Sequence, residues 1–288
     1  MIKLLKINLI SSLILLSQMG LAQIQMPAPS PWGKVIQNVG LAEISVEYSR
    51  PSLKGREIFG ELLPYGEVWR TGANAATLFT VSENIRLEGK EIPKGSYAVF
   101  SIPGEEEWTI ILSKDIQAWG EGAYDASNDL VRFTVQPTTP EEEVETLTFA
   151  FEELGFNTAD LTLAWENTKV TMAIETEAEK QVMTQIQEAL NPSVDAGTFF
   201  QAANFYYQTN RDLKQALEWI DKAVELYEKE NRNVYWVVHT KAKIEAELGK
   251  YKAAIATAQK AKSMAEKGNN QHYVKLNEDA IAEWKKNN

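Results

Sequence analysis

The feature that most constrains this chain is a change of hydrophobic period near residue 175. Before it, apolar residues alternate. Ile44, Val46 and Tyr48 interleave with Glu43, Ser45, Glu47 and Ser49, and the same beat of two returns at 108–112, 131–135, 147–151, 161–165 and 170–174. Such alternation puts one row of side chains inside and one in water, as antiparallel strands with a single wet face require. Further strands are expected at 76–81, 85–88 and 96–102. The punctuation between strands is Glu88-Gly89-Lys90, Pro93-Lys94-Gly95, Pro103-Gly104 and Glu166-Asn167-Thr168. Eight or nine short strands with no interleaved helix predict an all-β antiparallel sandwich or jelly roll over 32–175.

After residue 175 the period becomes 3.6. Val182, Met183, Ile186 and Leu190 mark a linker helix within 176–193 that Asn191-Pro192 should stop. Leu213, Ala216, Leu217, Ile220, Val224 and Tyr227 form one apolar stripe. Tyr251, Ala254, Ile255, Ala258 and Ala265 form a second, and Tyr273, Leu276, Ala280 and Trp284 a third. Gly249 and Gly268 stand where a left-handed C-terminal cap is wanted. These signals predict an all-α array of helical hairpins over 194–288. A weak internal repeat supports it. Ala216, Leu217, Lys222 and Ala223 recur as Ala254, Ile255, Lys260 and Ala261, 38 residues on. The pattern resembles the second helix of tetratricopeptide repeats, with Tyr207 at the aromatic position of a first helix and Leu213 and Tyr251 at the inter-helix turn. Small alanines let paired helices approach closely. The resemblance implies a protein or peptide partner docked on the helical repeats.

The first 22 residues read as a secretory signal. Lys3 and Lys6 precede an apolar stretch over 7–16, and Gly20-Leu21-Ala22 offers small residues before a cut at Gln23. The apolar stretch is about half the roughly 20 residues a spanning helix needs, and no later segment is long and apolar enough, so no membrane span is expected in the mature chain. Residues 23–31 carry Pro27, Pro29 and Pro31 and are expected to be extended and mobile. Export to a periplasmic or extracellular compartment follows. With no cysteine in the chain, disulfides and thiolate chemistry are excluded.

Charge is divided unevenly. Residues 23–175 hold 24 Asp and Glu against 11 Lys and Arg, whereas 176–288 hold 16 of each. Nucleic acid is therefore an excluded partner, since phosphate contacts dominate that affinity. The only histidines, His239 and His272, both fall in the helical half. A Ser-His-Asp triad or a His/Cys zinc site cannot form from β-half residues. His239 reads as packing beside Tyr235, Ala242 and Ala246. The run Asp125-Ala126-Ser127-Asn128-Asp129 lacks the full calcium-loop ligand set and reads as an Asx-rich turn. Trp119 and Tyr124 flank a Gly-rich turn at Gly120 and Gly122; exposed aromatics there could stack on sugar rings, but the two read rather as core plugs. No cofactor or metal is implied.

One stretch departs from ordinary strand and turn. It runs Tyr48-Ser49-Arg50-Pro51-Ser52-Leu53-Lys54-Gly55-Arg56, then Phe59-Gly60, then Pro64-Tyr65-Gly66-Glu67-Val68-Trp69-Arg70-Thr71-Gly72-Ala73-Asn74. With Pro93-Lys94-Gly95-Ser96-Tyr97, Trp108-Thr109, Trp119-Gly120 and Leu163-Ala164-Trp165-Glu166, it resembles the DUF2911 family of exported proteins over about 30–175. That resemblance implies a domain and its limits, and no activity. Physically the stretch gathers Arg50, Lys54, Arg56 and Arg70 beside Tyr65, Trp69 and Asn74. Guanidinium forks near aromatic rings suit an anionic or sugar small molecule. These seven residues are the candidate ligand site, with Arg50, Arg56, Arg70 and Asn74 expected to line one polar pocket. The competing reading is that the cations merely tie a long loop to the sheets. Together the signals favour an exported, non-enzymatic binding protein. The alternative is a cell-envelope hydrolase using Asp and Glu acid–base chemistry beside the Arg-rich loop.

Overall fold

The computed structural model describes residues 26–120, 122, 124–190 and 194–287. The expected signal segment lies outside the described residues, as do the turn residues Asn191 and Pro192. The chain divides after Ala178 into two compact units.

The first unit has eleven strands: β1 Trp32–Val39, β2 Ala42–Ser49, β3 Thr77–Val81, β4 Ile85–Leu87, β5 Lys90–Ile92, β6 Gly95–Ile102, β7 Trp108–Ser113, β8 Asp129–Val135, β9 Val144–Glu152, β10 Thr158–Glu166 and β11 Thr168–Thr176. They form a six-stranded sheet ordered β1-β2-β3-β6-β7-β8 and a five-stranded sheet ordered β5-β4-β11-β10-β9. All pairings between the strands are antiparallel. Neighbours are consecutive in the chain except β3–β6 and β4–β11, so the sheets are meanders and the architecture is a sandwich rather than a jelly roll.

The alternating rows meet in one core. Ile44, Val46, Tyr48, Trp108, Ile110 and Phe133 of the larger sheet are buried with Leu147, Phe149, Leu161, Leu163, Val170 and Ile174 of the smaller. The larger sheet also carries a second, smaller cluster on its outer face. There Ala98, Phe100 and Ile111 are covered by Ala76 and Ala118 from two loops, with Val68, Leu78 and Tyr124 packed around them. The turns follow local chemistry. Glu88 and Gly89 have φ of 48° and 70°, the doubly left-handed pair that a two-residue hairpin favours. Gly40 turns β1 into β2 at φ 56°, and a Cβ there would meet Ala178 Cβ and Thr176 Oγ1 at 2.5 Å.

The second unit holds six helices: α1 Ala178–Ala189, α2 Ala196–Gln208, α3 Leu213–Lys229, α4 Tyr235–Glu247, α5 Tyr251–Lys267 and α6 Gln271–Trp284. The helix expected as a linker packs Val182, Met183 and Ile186 against Ala202 and Phe205 of α2. Helices α3 and α5 are each 17 residues long and start 38 residues apart, matching the sequence repeat. Their alanines Ala216, Ala223, Ala254 and Ala261 are fully buried. Three starts are capped by side chains: Asp195, Asp212 and Asn270 accept from backbone N–H groups of the first turns. Gly249 takes the left-handed position after α4 at φ 72°. Gly268 does not, since its φ is −86°; Asn269 takes that role at φ 54°. Among the described residues no helix is long and apolar enough to cross a membrane.

Candidate functional site

The signature stretch is the connection from β2 to β3. It first crosses to the other sheet. Leu147 N–H donates to Pro51 O (2.9 Å), Leu53 N–H to Glu145 O (2.8 Å), and Ser52 and Thr146 share a hydroxyl hydrogen bond of 2.8 Å. The Tyr48 hydroxyl accepts from Phe149 N–H at 2.9 Å. Arg50 completes this crossing. Its Nε donates to Leu147 O (3.0 Å), its Nη2 to Thr148 Oγ1 (2.9 Å), and its side chain lies over Gly33, where a Cβ would come within 3.1 Å of Arg50 Cδ. Arg56 turns back on its own loop, donating to Leu53 O and Ser52 O. Lys54 is exposed, with its backbone N–H on Glu145 Oε1.

The middle of the stretch is anchored by Glu166. Its carboxylate accepts from Ile58 N–H (3.2 Å) and Phe59 N–H (3.3 Å). Phe59 enters an aromatic cluster in the sandwich core. It meets Trp108 at 4.9 Å between ring centroids, and Trp69 stacks on Trp165 at 5.9 Å. The Trp69 indole N–H donates to Gly72 O, so Trp69 is a core side chain rather than a ligand-facing one. Tyr65 sits over Gly60 and is partly exposed. Burial, then the charges of Glu105, Glu166 and Glu57, raise its hydroxyl above the ordinary tyrosine range, so it stays protonated at neutral pH.

The last part, 69–76, runs from the edge of β6, where Trp69 points into the sandwich core, to Ala76 in the outer cluster of the larger sheet. Trp69 and Ser101 exchange backbone hydrogen bonds of 2.7 and 2.8 Å. Thr71 is buried at a left-handed φ of 55°, which is strained for a β-branched residue. Its hydroxyl lies 3.0 Å from Ser101 Oγ, and its carbonyl accepts from Thr77 Oγ1 at 2.7 Å. Gly72 lies close against Ser49 O and Thr77 Oγ1, where a Cβ would sit at 3.2 and 2.9 Å. Asn74, also left-handed at φ 61°, donates from Nδ2 to Ser49 Oγ (3.1 Å) and Ser30 O (3.5 Å). Ser30 is thereby tied down, and Pro31 O likewise accepts from Arg50 N–H. Arg70 is half-buried beside this turn.

The seven candidate residues therefore separate. Arg50 reaches between the sheets, Arg56 serves its own loop and Asn74 faces outward with Ser49. The structure does not bring these three head groups onto one set of partners. Lys54, Tyr65, Arg70 and Asn74 keep exposed or half-exposed side chains; Trp69 does not. A cleft of about 150 Å³ lies elsewhere, at the β4–β5 hairpin between Arg86, Glu91 and Glu177.

The neighbouring loop, 114–128, also differs from expectation. Trp119 is 71% exposed, not a core plug. Tyr124 is half-buried against Phe100, and its hydroxyl lies 3.0 Å from Asp129, with Arg132 closing the group onto both. Burial first, and then Asp129, raise the Tyr124 hydroxyl above its ordinary range. Asp125 accepts from Ser127 N–H as the cap of a short 3₁₀ turn over 126–128, which is the Asx-type turn expected there. Among the described residues no three His, Asp or Glu side chains group to hold a metal ion. His239 lies between α4 and α6, 2.9 Å from Asn277 Oδ1 and edge-on to Tyr273.

Sequence reasoning passed over Thr71 and Trp32. Nothing in the sequence announces a left-handed threonine. Trp32 begins an edge strand whose two rows both mix polar and apolar residues.

This crossing loop lies wholly inside a region that matches a family model, the protein of unknown function DUF2911, over residues 30–174. The chain belongs to this family. The DUF2911 match ends where the sandwich ends, so the family domain is the β unit. Neither the curated proteins nor the solved structures contain a match.

Proposed function

We propose that this DUF2911 protein is an exported, non-enzymatic binding protein. Its β unit recognises a small polar ligand on the outer face of the larger sheet, and its helical hairpins dock a protein partner. The observation that carries the reading is Thr71. A buried β-branched residue in the left-handed region costs about 1–3 kcal/mol, and such strain persists where surrounding bonds over-determine it. Here those bonds fix the turn that displays Arg70 and Asn74. The cations of the preceding part, Arg50 and Arg56, are spent on backbone carbonyls and hold the display in place.

A thermal-shift ligand screen on the full chain tests the β unit. The expected result is a compound that raises the melting temperature of the wild type and not of Asn74→Ala. Ligands that shift both equally would sink the reading. Export is tested by N-terminal sequencing of protein recovered outside the cytoplasm, which should begin at Gln23; recovery of intact Met1 would refute it.

A further inference from the structure

Two of the chain's eight tryptophans are exposed, Trp32 at 65% and Trp119 at 71%. Tryptophan is normally among the more buried residue types, and exposed apolar surface rimmed by polar groups marks interaction sites. The two are linked through one short segment. Trp32 lies directly opposite Ser49 in the β1–β2 ladder, so both side chains leave the same face of the sheet. Ser49 Oγ accepts from Asn74 Nδ2. The next residue, Ala75, pairs with Trp119 as an isolated antiparallel bridge, and Ala76 N–H donates to Ala118 O. Ala118 belongs to the cluster covering Phe100 and Ile111, which fixes this loop on the outer face as well. The order across the face is therefore Trp32, Asn74, Trp119. Two cross-strand steps of about 5 Å each and one asparagine side chain put the tryptophan backbones roughly 10–15 Å apart.

We propose that Trp32, Asn74 and Trp119 form a platform for a neutral oligosaccharide. This rests on the reading of the β unit as a binding module and names its ligand class. The flat side of an equatorially linked pyranose presents axial C–H groups of partial positive charge, which match the negative face of an indole. Asn74 Nδ2 is committed to Ser49 and Ser30, which leaves Oδ1 to accept from a sugar hydroxyl between the rings. The separation favours a chain of sugars over a single ring, and disfavours a compact cation, which needs aromatic walls converging on one point. An anionic polymer is disfavoured by charge. The β half holds 24 acidic against 11 basic residues, and Lys34, two positions from Trp32, is paired with Glu47 at 2.9 Å.

The test is calorimetric titration of the full chain with β-1,4-linked hexamers of glucose and of N-acetylglucosamine. Trp32→Ala and Trp119→Ala should each weaken binding by about tenfold, while Trp32→Phe retains most of it. Both indoles are exposed, so these variants fold, and circular dichroism verifies it. Absence of binding at millimolar sugar, or binding indifferent to both alanine variants, overturns the proposal. A ligand of another class that still depends on Asn74 would overturn the saccharide assignment and leave the binding module standing. Cleavage of the hexamer that depends on both tryptophans would support the platform and overturn the non-enzymatic reading instead.

Discussion

At the scale of single residues, side chains of the same type have unequal work. Arg50 fills two acceptors of the opposite sheet and lies 5.8 Å from the Tyr48 ring centre, whereas Arg56 is exposed and bonds carbonyls of its own turn. Arg50→Ala should therefore cost about 2–3 kcal/mol of stability in urea denaturation, because Leu147 O and Thr148 Oγ1 lose a charged donor. Arg56→Ala should cost less than about 1 kcal/mol; equal losses would refute the distinction. His239 carries a pH dependence. Burial, with help from the Lys243 charge, lowers its imidazole below the ordinary value, against the opposing hydrogen bond to Asn277. Asn277 Nδ2 donates to Tyr273 O, so its Oδ1 accepts and His239 Nδ1 carries the proton of the neutral ring. The unfolded chain takes up a proton near pH 6.5, the folded chain only below that. The neutral-ring contribution is thus complete above about 6.5 and is lost as pH falls toward the folded value. Between pH 7.5 and 5.5 the wild type should lose more stability than His239→Gln. The sequence shows that cations, aromatics and amides crowd into 48–74. It does not show where each head group goes, because arginines here bind carbonyl oxygens, and every residue has a carbonyl.

At the scale of elements, the helix ends repeat one device. After α2, α3, α4 and α5 the chain places Asn210, Asn231, Gly249 and Asn269 at left-handed φ. The next residue's N–H then reaches back to a carbonyl of the last turn: Arg211 to Tyr206, Arg232 to Tyr227, Lys250 to Glu245 and Asn270 to Ala265. Asn231→Val should destabilise the helical unit by about 1 kcal/mol, while Asn231→Gly leaves it unchanged or firmer; thermal melts of the two variants decide it. Glycine alone is therefore an incomplete guide to helix ends, which is why Gly268 misleads and Asn269 is passed over. Strands were most legible where one face is dry. The six clear alternations all face the shared core. β1 and β5 were not legible, β1 because it is an edge strand with a polar residue, Gln37, in its inner row, and β5 because three residues are too short to show a period.

At the scale of the whole molecule, each unit closes its own apolar clusters. Residues 26–178 and 179–288 produced separately should each unfold cooperatively in urea, followed by tryptophan fluorescence and circular dichroism. Failure of either to fold would show that its core is not self-sufficient. Period and charge both marked this division, since both are summed over many residues and survive local exceptions. Arg50 has one more consequence, in time rather than in space. Its acceptor Leu147 O lies 97 residues further along the chain. A ribosome delivers the donor well before the carbonyl, so this clasp between β2 and β9 cannot close until most of the β unit has been made. Closing so long a loop costs entropy before any contact repays it. Under the export proposed above, a delay of that kind would keep the polypeptide threadable while its far end is still being built.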